Sequence, residues 1–196
     1  LKTFIRKIFL AMDCSTNETS VITHHLITAN LMGHDSHGVG MIPIYVKNFH
    51  EQILLPNVNP ITIKDESNIL IFDGKRGFGQ SITDHAIKKG IEKCKKTGLL
   101  LMGINNSGHM GRIGTYGEMC AKKNLISIHF VNVIDRSPSV APFGGTQARF
   151  GTNPICIAMP RKGQLSPIIL DFATSKVAVG KIRVAINKIF YCISKF

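Results

Sequence analysis

The apolar residues of the first third of the chain recur at helical spacing. One apolar face near the N-terminus predicts an amphipathic helix and comprises Phe4, Ile5, Ile8, Phe9 and Met12. Ser15 and Glu18 predict a capping box that opens a second helix, and Gly33 ends it. The buried side of this second helix comprises Val21, Ile22, Leu26, Ala29 and Met32. Pro43 suits the first turn of a third helix that runs to about His50.

Beyond Pro60 the pattern changes to strands that alternate with helices. The segment ITIKDESNILIFDG predicts a β-hairpin whose polar turn runs from Asp65 to Asn68. A long helix that ends at Gly98 follows, with a buried stripe of Ile82, Ala86, Ile87, Ile91 and Cys94. Further strands are predicted for LLLMGI (a buried strand), ISIHFVNV, ICIAMP and PIILDF, and helices for TYGEMCAKKN and ATSKVAVGKIRVA. The fold class predicted from this order is α/β or mixed α+β.

Composition supports a folded domain. The chain has 196 residues, 44% of them hydrophobic, and contains no low-complexity tract, which is typical of globular proteins. Its apolar runs all fall well short of the roughly 20 residues of a membrane-spanning helix, so we predict no membrane partner. Five cysteines without CxxC spacing suit reduced thiols in a cytoplasmic protein better than a disulfide framework.

The positive charge raises nucleic acid as a partner. Twenty-four Lys and Arg against twelve Asp and Glu give a net charge of +12. Five of the lysines, however, lie in one predicted helix with an apolar stripe and are best interpreted as its solvated face: Lys88, Lys89, Lys93, Lys95 and Lys96. The sequence has no zinc-finger spacing and no aromatic–basic interleaving. We therefore predict no nucleic-acid partner and interpret the charge as attraction for anionic substrates.

Two glycine-rich loops carry the candidate chemistry. GHDSHGVG holds His34 and His37 at a three-residue spacing that metal ligands also use, but no third ligand is evident, so we predict no metal. The structural alternative is that Asp35 and Ser36 cap free backbone N–H groups. In the second loop, SGHMGR, His109 lies near Arg112 and directly follows a predicted strand. Two histidine-bearing loops and an arginine favour an acid/base enzyme that acts on an anion.

The usual nucleotide-binding fingerprints are missing. The sequence contains no GxGxxG after a strand and no GxxxxGK[ST], nor does it contain HExxH or GxSxG. We therefore predict neither an ordinary Rossmann site nor a P-loop.

Five segments resemble the type-2 malate/L-lactate dehydrogenases, a family that includes ureidoglycolate, sulfolactate and diketogulonate oxidoreductases. These segments are GHDSHGVGMIPIY, GFGQSIT, NSGHMGRIG, VAPFGGTQARFGTNP and ILDFATSKVAVGKIRVA. The GMIP variant is most similar to the bacterial hydroxycarboxylate dehydrogenase B branch. The likeness runs in unbroken order from about Phe4 to Ala185.

The resemblance implies a non-Rossmann α/β fold and hydride transfer between a 2-hydroxy acid and its 2-oxo acid, with NAD or NADP as cofactor. It also implies a homodimer that binds the cofactor in a cleft shared between domains and subunits. His37 matches a histidine beside substrate and nicotinamide, and His109 matches a second histidine proposed as acid/base in some members. We expect His37 to transfer the proton, because Asp35 and Ser36 flank it. The cofactor contacts implied are His37, Gly111, Arg112, Ile113, Asp171, Phe172, Ala173, Thr174 and Ser175.

The chain departs from the family pattern in two ways. Many relatives carry an arginine where this chain has Met41, so we expect Arg112 or another residue to hold the substrate carboxylate. Family chains are also considerably longer, and we expect a fragment with three parts: a helical part with hairpin (1–72), an incomplete cofactor domain (73–185) and a non-family tail (186–196). The alternative function is that of a non-catalytic remnant acting as a binding or oligomerisation module.

Overall fold

The computed structural model describes residues 1–133, 138–163, 165–176 and 185–186. The chain divides into two compact units, Leu1–Tyr116 and Gly117–Phe196. The functional division between residues 72 and 73 stays a prediction.

The described residues form a mixed α/β structure, which confirms the predicted fold class. In chain order the elements are α1 (Lys2–Ala11), α2 (Thr16–Leu31), α3 (Ile42–His50), β1 (Ile61–Glu66), β2 (Ile69–Asp73), α4 (Gly79–Thr97), β3 (Leu101–Asn105), α5 (Gly114–Ala121), β4 (Ser127–Phe130), β5 (Pro154–Met159) and β6 (Ile168–Ala173). Two short 3₁₀ turns, Asp35–His37 and Val39–Met41, lie between α2 and α3.

The N-terminal helices pack around one apolar cluster. Its buried members come from α1, α2, α3 and the segments that follow, and are Ile5, Phe9, Met12, Cys14, Ile22, Leu26, Met41, Tyr45, Leu54 and Phe78. The predicted faces are largely confirmed, but Phe4 of α1 and Met32 after α2 are exposed. These two residues lie at the edges of their apolar stripes, so the buried face of each helix is narrower than the predicted one.

The N-terminus of α2 is capped by a different arrangement from the predicted box. Ser15 Oγ accepts a hydrogen bond from the Glu18 N–H at 3.3 Å, as expected. The Glu18 carboxylate, however, accepts from the Asn57 N–H at 2.8 Å, and Asn57 Oδ1 accepts from the Ser15 N–H at 2.6 Å. Asn57 thus takes the reciprocal half of the box, which ties α2 to the segment after α3.

The first unit also contains a three-stranded sheet of order β1-β2-β3. The predicted hairpin is present, but Asp65 and Glu66 belong to β1, so the turn is shorter than expected and consists of Ser67 and Asn68. β3 runs parallel to β2 and α4 connects them, with Ala86 packed against Leu70 and Phe72. The prediction that β3 is a buried strand is wrong, because it lies at the sheet edge and its first residue, Leu101, is exposed.

Helix α4 matches its prediction closely. It ends at Gly98, which has the left-handed φ of +76° that suits glycine at a helix C-terminus. The buried stripe is confirmed for Ile82, Ala86, Ile87 and Ile91, whereas Cys94 is half-buried. Four of its five lysines are exposed and Lys93 is half-buried, as expected of a solvated face.

The second unit contains a sheet of order β4-β5-β6, antiparallel throughout. Gly117 of α5 lies against Cys156 and Ala158 on one face of β5. The opposite face is apolar and largely exposed; we call it the apolar sheet face, and the strand register places Ile128, Phe130, Ile155, Ile157, Met159, Ile168, Leu170 and Phe172 on it. Of the predicted helix ATSKVAVGKIRVA, Ala173 lies in β6, and residues 177–184 are outside the described residues.

Candidate functional site

The first histidine loop is organised by Asn30, near the end of α2. Asn30 Oδ1 accepts a hydrogen bond from the Val39 N–H at 2.8 Å, and its Nδ2 donates to Asp35 Oδ1 at 2.5 Å. Asn30 therefore does part of the capping that the structural alternative assigned to Asp35 and Ser36. Ser36 Oγ instead lies 3.0 Å from His37 Nδ1. The 3₁₀ turns and the amide together fix the backbone from which His37 projects.

The second histidine, His109, is held from behind by a buried hydrogen-bond chain. Its Nδ1 lies 2.8 Å from Tyr45 Oη, and Gln80 Nε2 donates to the same oxygen at 2.7 Å. Tyr45 on α3 and Gln80 on α4 are 2% and 1% exposed. Because both side chains are packed in the core, the orientation of the His109 ring is set by two helices.

The two predicted histidines come together. The rings of His37 and His109 stack, with centroids 5.5 Å apart and planes inclined by 13°. They are separated by more than seventy residues in the sequence and both side chains are half-buried. The arrangement presents two imidazoles side by side at the edge of the first unit's core.

The Tyr45 hydroxyl can serve His109 in either protonation state. While Gln80 donates to the phenol oxygen, the phenol proton is available for Nδ1 of a neutral His109 ring. When His109 is protonated, its Nδ1–H donates to that oxygen instead. In both states Tyr45 engages Nδ1, so a general acid or base at this position would act through the other ring nitrogen, Nε2.

The predicted cofactor residues that follow His109 in the chain, Gly111, Arg112 and Ile113, are buried. The Arg112 N–H donates to His25 Nε2 at 2.8 Å, and Gly111 has a left-handed φ of +76°. Arg112 and Ile113 are 4% and 6% exposed. Burial is the main cause that lowers the pKa of His25 to about 4, and the charges of His37, Arg112 and His24 act in the same direction. A neutral His25 is the form that can accept the Arg112 hydrogen bond.

Met41 lies in the apolar cluster and is almost fully buried. Its side chain packs with the core at the position where the chain departs from the expected family pattern. This position therefore supplies no cation, and the guanidinium in the described part of the histidine loops is that of Arg112.

The remaining predicted cofactor residues lie in the second unit. Asp171, Phe172 and Ala173 belong to β6 and pair with β5, which confirms the strand predicted for PIILDF and extends it by one residue. Thr174 follows the strand, and its hydroxyl donates to the Asn153 carbonyl at 2.9 Å. Ser175 lies in a bend. The hydroxyl of Thr174 is thus already used to hold the end of the sheet.

Neither a metal nor a membrane span is suggested by the described residues. Within them, no group of three or more His, Cys, Asp or Glu side chains is placed to hold a metal ion, and His34 and His37 have ring centroids 6.4 Å apart. None of the helices in the described part of the chain has the length and apolar character needed to cross a bilayer.

Sequence reasoning did not identify Tyr45, Gln80 or His25 as parts of the site. Tyr45 and Gln80 were inside quoted motifs, and each is a polar residue at a buried position of a helix. That is the one signal by which they could have been found, since buried polar groups are nearly always hydrogen-bonded. His25 carries no such motif, and its partner lies 87 residues further along the chain.

Comparison with known proteins places these features in a family. A model of the malate/L-lactate dehydrogenase family matches residues 1–188. Hydroxycarboxylate dehydrogenase B of Escherichia coli K12 is 45% identical over 96% of this chain and 52% of its own. L-lactate dehydrogenase of Cupriavidus necator is 34% identical over 93% of this chain and 52% of its own.

A solved structure of a candidate malate/lactate dehydrogenase from E. coli has the same fold, with a TM-score of 0.91 and 44% identity. The match covers 95% of this chain and 52% of the chain in that structure. The chain therefore spans about half the length of the relatives it matches. With a family model matched over nearly its whole length and a relative of this identity, the chain belongs to the malate/L-lactate dehydrogenase family.

Proposed function

We propose that the chain supplies the proton-transfer site of an NAD(P)-dependent oxidoreductase. Its reaction interconverts a 2-hydroxy acid, malate-, lactate- or aryl-lactate-like, and the corresponding 2-oxo acid. The observation that carries this proposal is the stacked pair of His37 and His109, with the buried Tyr45 and Gln80 behind it. The names of the relatives, hydroxycarboxylate and L-lactate dehydrogenases, support the substrate class.

The reaction requires one proton transfer at the substrate oxygen. A nicotinamide cofactor, when bound, accepts or supplies the hydride at carbon. In the oxidation, an imidazole takes the hydroxyl proton of the 2-hydroxy acid; in the reduction it returns a proton to the carbonyl oxygen. Imidazole suits both directions because its ordinary pKa lies near neutrality.

The hydrogen-bond network favours His109 for this role. Its Nδ1 is held by Tyr45, which is itself held by Gln80, so Nε2 has a fixed direction in both protonation states. The sequence favoured His37 because Asp35 and Ser36 flank it. In the structure, Ser36 Oγ contacts His37 Nδ1 within the same short turn, and Asp35 accepts a hydrogen bond from Asn30. We therefore assign proton transfer to His109 and placement of the substrate or the nicotinamide ring to His37.

The cofactor would be held by the groups that the chain leaves accessible. The half-buried imidazoles offer a flat surface for a nicotinamide ring. Gly111, Arg112 and Ile113 follow His109 closely in sequence but are buried, so a cofactor would meet little more than the edge of this segment. Asp171 to Ser175 are proposed as the second set of cofactor contacts. An assay with NADH and NADPH in parallel distinguishes the two cofactors.

The test uses a chimera. Residues 1–185 are joined to the C-terminal half of E. coli hydroxycarboxylate dehydrogenase B, and NADH or NADPH oxidation is followed with a panel of 2-oxo acids. His109→Ala is expected to lower kcat by about 10²- to 10⁴-fold and to remove an ionisation near neutrality from the pH–rate profile. His37→Ala should keep that ionisation.

Two outcomes would count against the assignment. If the ionisation persists in His109→Ala and disappears in His37→Ala, the two roles are reversed. If the chimera turns over no 2-oxo acid while the parent E. coli enzyme does so under the same conditions, the proposed reaction is wrong for this chain.

A second candidate is a non-catalytic module that binds or oligomerises. The observations that favour it are the half-length match to the relatives and the exposed apolar sheet face. Under this candidate the chain associates but binds no dinucleotide. Titration of the chain with NADH, followed by fluorescence, separates the two, because saturable binding would favour the oxidoreductase. For the oxidoreductase we also propose a homodimer, which sedimentation checks, and a location in the cytoplasm.

A further inference from the structure

The loop that carries His109 is held at three points by side chains from three helices. Tyr45 of α3 contacts the His109 ring, as described above. The Tyr116 hydroxyl of α5 donates to the Met110 carbonyl at 2.6 Å. His25 of α2 accepts from the Arg112 N–H at 2.8 Å. One contact falls on a side chain and two fall on the backbone immediately after it.

His25 lies against the loop with no room to spare. Its side chain is 3% exposed, and its ring packs at 5.6 Å from that of Tyr116. A Cβ built on Gly111 would lie only 2.3 Å from His25 Nε2, so the backbone passes as closely as a glycine allows. The contact is therefore a close fit between a buried ring and a bare stretch of main chain.

We propose that His25 is a positioning residue that holds the Met110–Arg112 backbone and thereby sets the position of His109. The proposal rests on the proposed function only in the role given to His109. An apolar residue of similar size would fill the space, but it would leave the buried Arg112 N–H without its acceptor. The neutral ring is favoured at neutral pH because burial lowers the pKa of His25.

A physical alternative is that His25 is simply a packed core residue. The two interpretations differ in what an amide acceptor can replace. In His25→Gln, the side-chain oxygen lies about where Nε2 lies in histidine, so the hydrogen bond survives while the aromatic packing on Tyr116 is lost. In His25→Leu the volume is kept and the acceptor is lost. His24→Leu, on the exposed side of the same helix, is the matched control.

The experiment measures hydrogen–deuterium exchange of the 196-residue chain at residue resolution. In His25→Leu, the Arg112 amide is expected to exchange at least about tenfold faster, since its opening no longer breaks a buried hydrogen bond. Amides of the β1–β2 hairpin in the same unit should be unchanged. His25→Gln should restore slow exchange at Arg112, and His24→Leu should match the parent chain.

Three results would overturn the proposal. The first is an Arg112 amide that exchanges at the parent rate in His25→Leu. The second is equal acceleration across the loop and the hairpin, which would make His25 a support of the whole unit. The third is a failure of His25→Gln to restore protection. None of these readouts depends on turnover, so an inactive chimera with a protected loop would reject the proposed reaction and leave this inference standing.

Discussion

At the scale of single residues, the Tyr45 hydroxyl orients the His109 ring. It accepts from Gln80 and shares a hydrogen bond with His109, and it lies in a core from which water is largely excluded. In such surroundings a hydrogen bond is stronger and a missing one costs more. The ring of His109 is therefore held in one direction before any substrate arrives.

We predict that Tyr45→Phe impairs catalysis more than binding. With the ring no longer held, kcat of the chimera should fall by about 10- to 100-fold while KM changes little. The buried Gln80 amide loses its acceptor, so the free energy of unfolding should drop by about 1–3 kcal/mol. Steady-state kinetics and urea denaturation measure the two effects. Gln80→Met, which keeps the Tyr45–His109 bond, should cost less in rate; an equal loss would contradict the assigned chain.

His25 makes stability depend on pH in a definite direction. Its pKa falls from 6.5 to about 4 on folding, chiefly by burial, with His37, Arg112 and His24 adding to the effect. Between pH 4 and pH 6.5 the unfolded chain binds a proton at His25 that the folded chain does not. The contribution of His25 to the free energy of unfolding is therefore fully present above about pH 6.5 and is lost as the pH falls towards 4. The loss is at most about 3 kcal/mol.

The measurement is urea denaturation of the parent chain and of His25→Gln at pH 7 and pH 4.5. Subtraction is needed because other groups titrate in the same range: the pKa values of His85 and His129 are also lowered by burial, and that of Glu18 is raised by burial. The parent should lose more stability than the variant. Equal losses would show that His25 does not contribute.

At the scale of elements, the same backbone conformation has different consequences at two glycines. Gly98, after α4, and Gly111, in the histidine loop, both have φ of +76°. An added Cβ at Gly98 would meet nothing within 4 Å, whereas at Gly111 it would meet His25. The helix end needs glycine for its conformation alone, and the loop needs it also for the close approach.

We predict that Gly98→Ala lowers the free energy of unfolding by about 1–2 kcal/mol, the cost of a left-handed alanine. Gly111→Ala should cost about 2–4 kcal/mol, because His25 must also move and release the Arg112 N–H. Thermal or urea unfolding gives both values. In a His25→Ala background, which opens the space, the two substitutions should cost nearly the same; a persistent difference would mean that something other than His25 opposes the side chain.

At the scale of the whole molecule, the second unit leaves a large apolar surface uncovered. On the apolar sheet face, Phe130 is 79% and Ile128 is 56% exposed. Apolar patches of this kind on soluble proteins drive association. In a chain that spans about half the length of its relatives, a face of this composition is available to any apolar partner.

We predict that the isolated chain associates through this face. Replacing Phe130 and Leu170 with lysine should shift sedimentation towards the monomer and lower the binding of an apolar dye. Phe143, which is fully exposed but lies in a loop outside the sheet, provides the matched control, and Phe143→Lys should change neither measurement. A monomeric parent chain that unfolds cooperatively would contradict the prediction.

Local sequence patterns predicted the helices and strands better than they predicted which residues are buried. The helical stripes of α1, α2 and α4 and the strands of the hairpin follow from the spacing of apolar residues, because that spacing is a property of each segment alone. Burial at the edges was less predictable. Leu101 and Phe4 are as apolar as core residues, yet they are 69% and 65% exposed. The capping role of Asn57, 42 residues from Ser15, had no local signal at all.

The sequence by itself determined which residue types are available for chemistry: two glycine-rich loops, each with a histidine, and an arginine beside the second. The identity and order of these residues are properties of the covalent chain and can be read from it directly. Only the tertiary structure decided that His37 and His109 stack, that Tyr45 and Gln80 stand behind one of them, and that His25 holds the loop. The physical reason is that hydrogen bonds between residues 35 to 87 positions apart depend on how the helices pack, and packing is decided by the whole core at once.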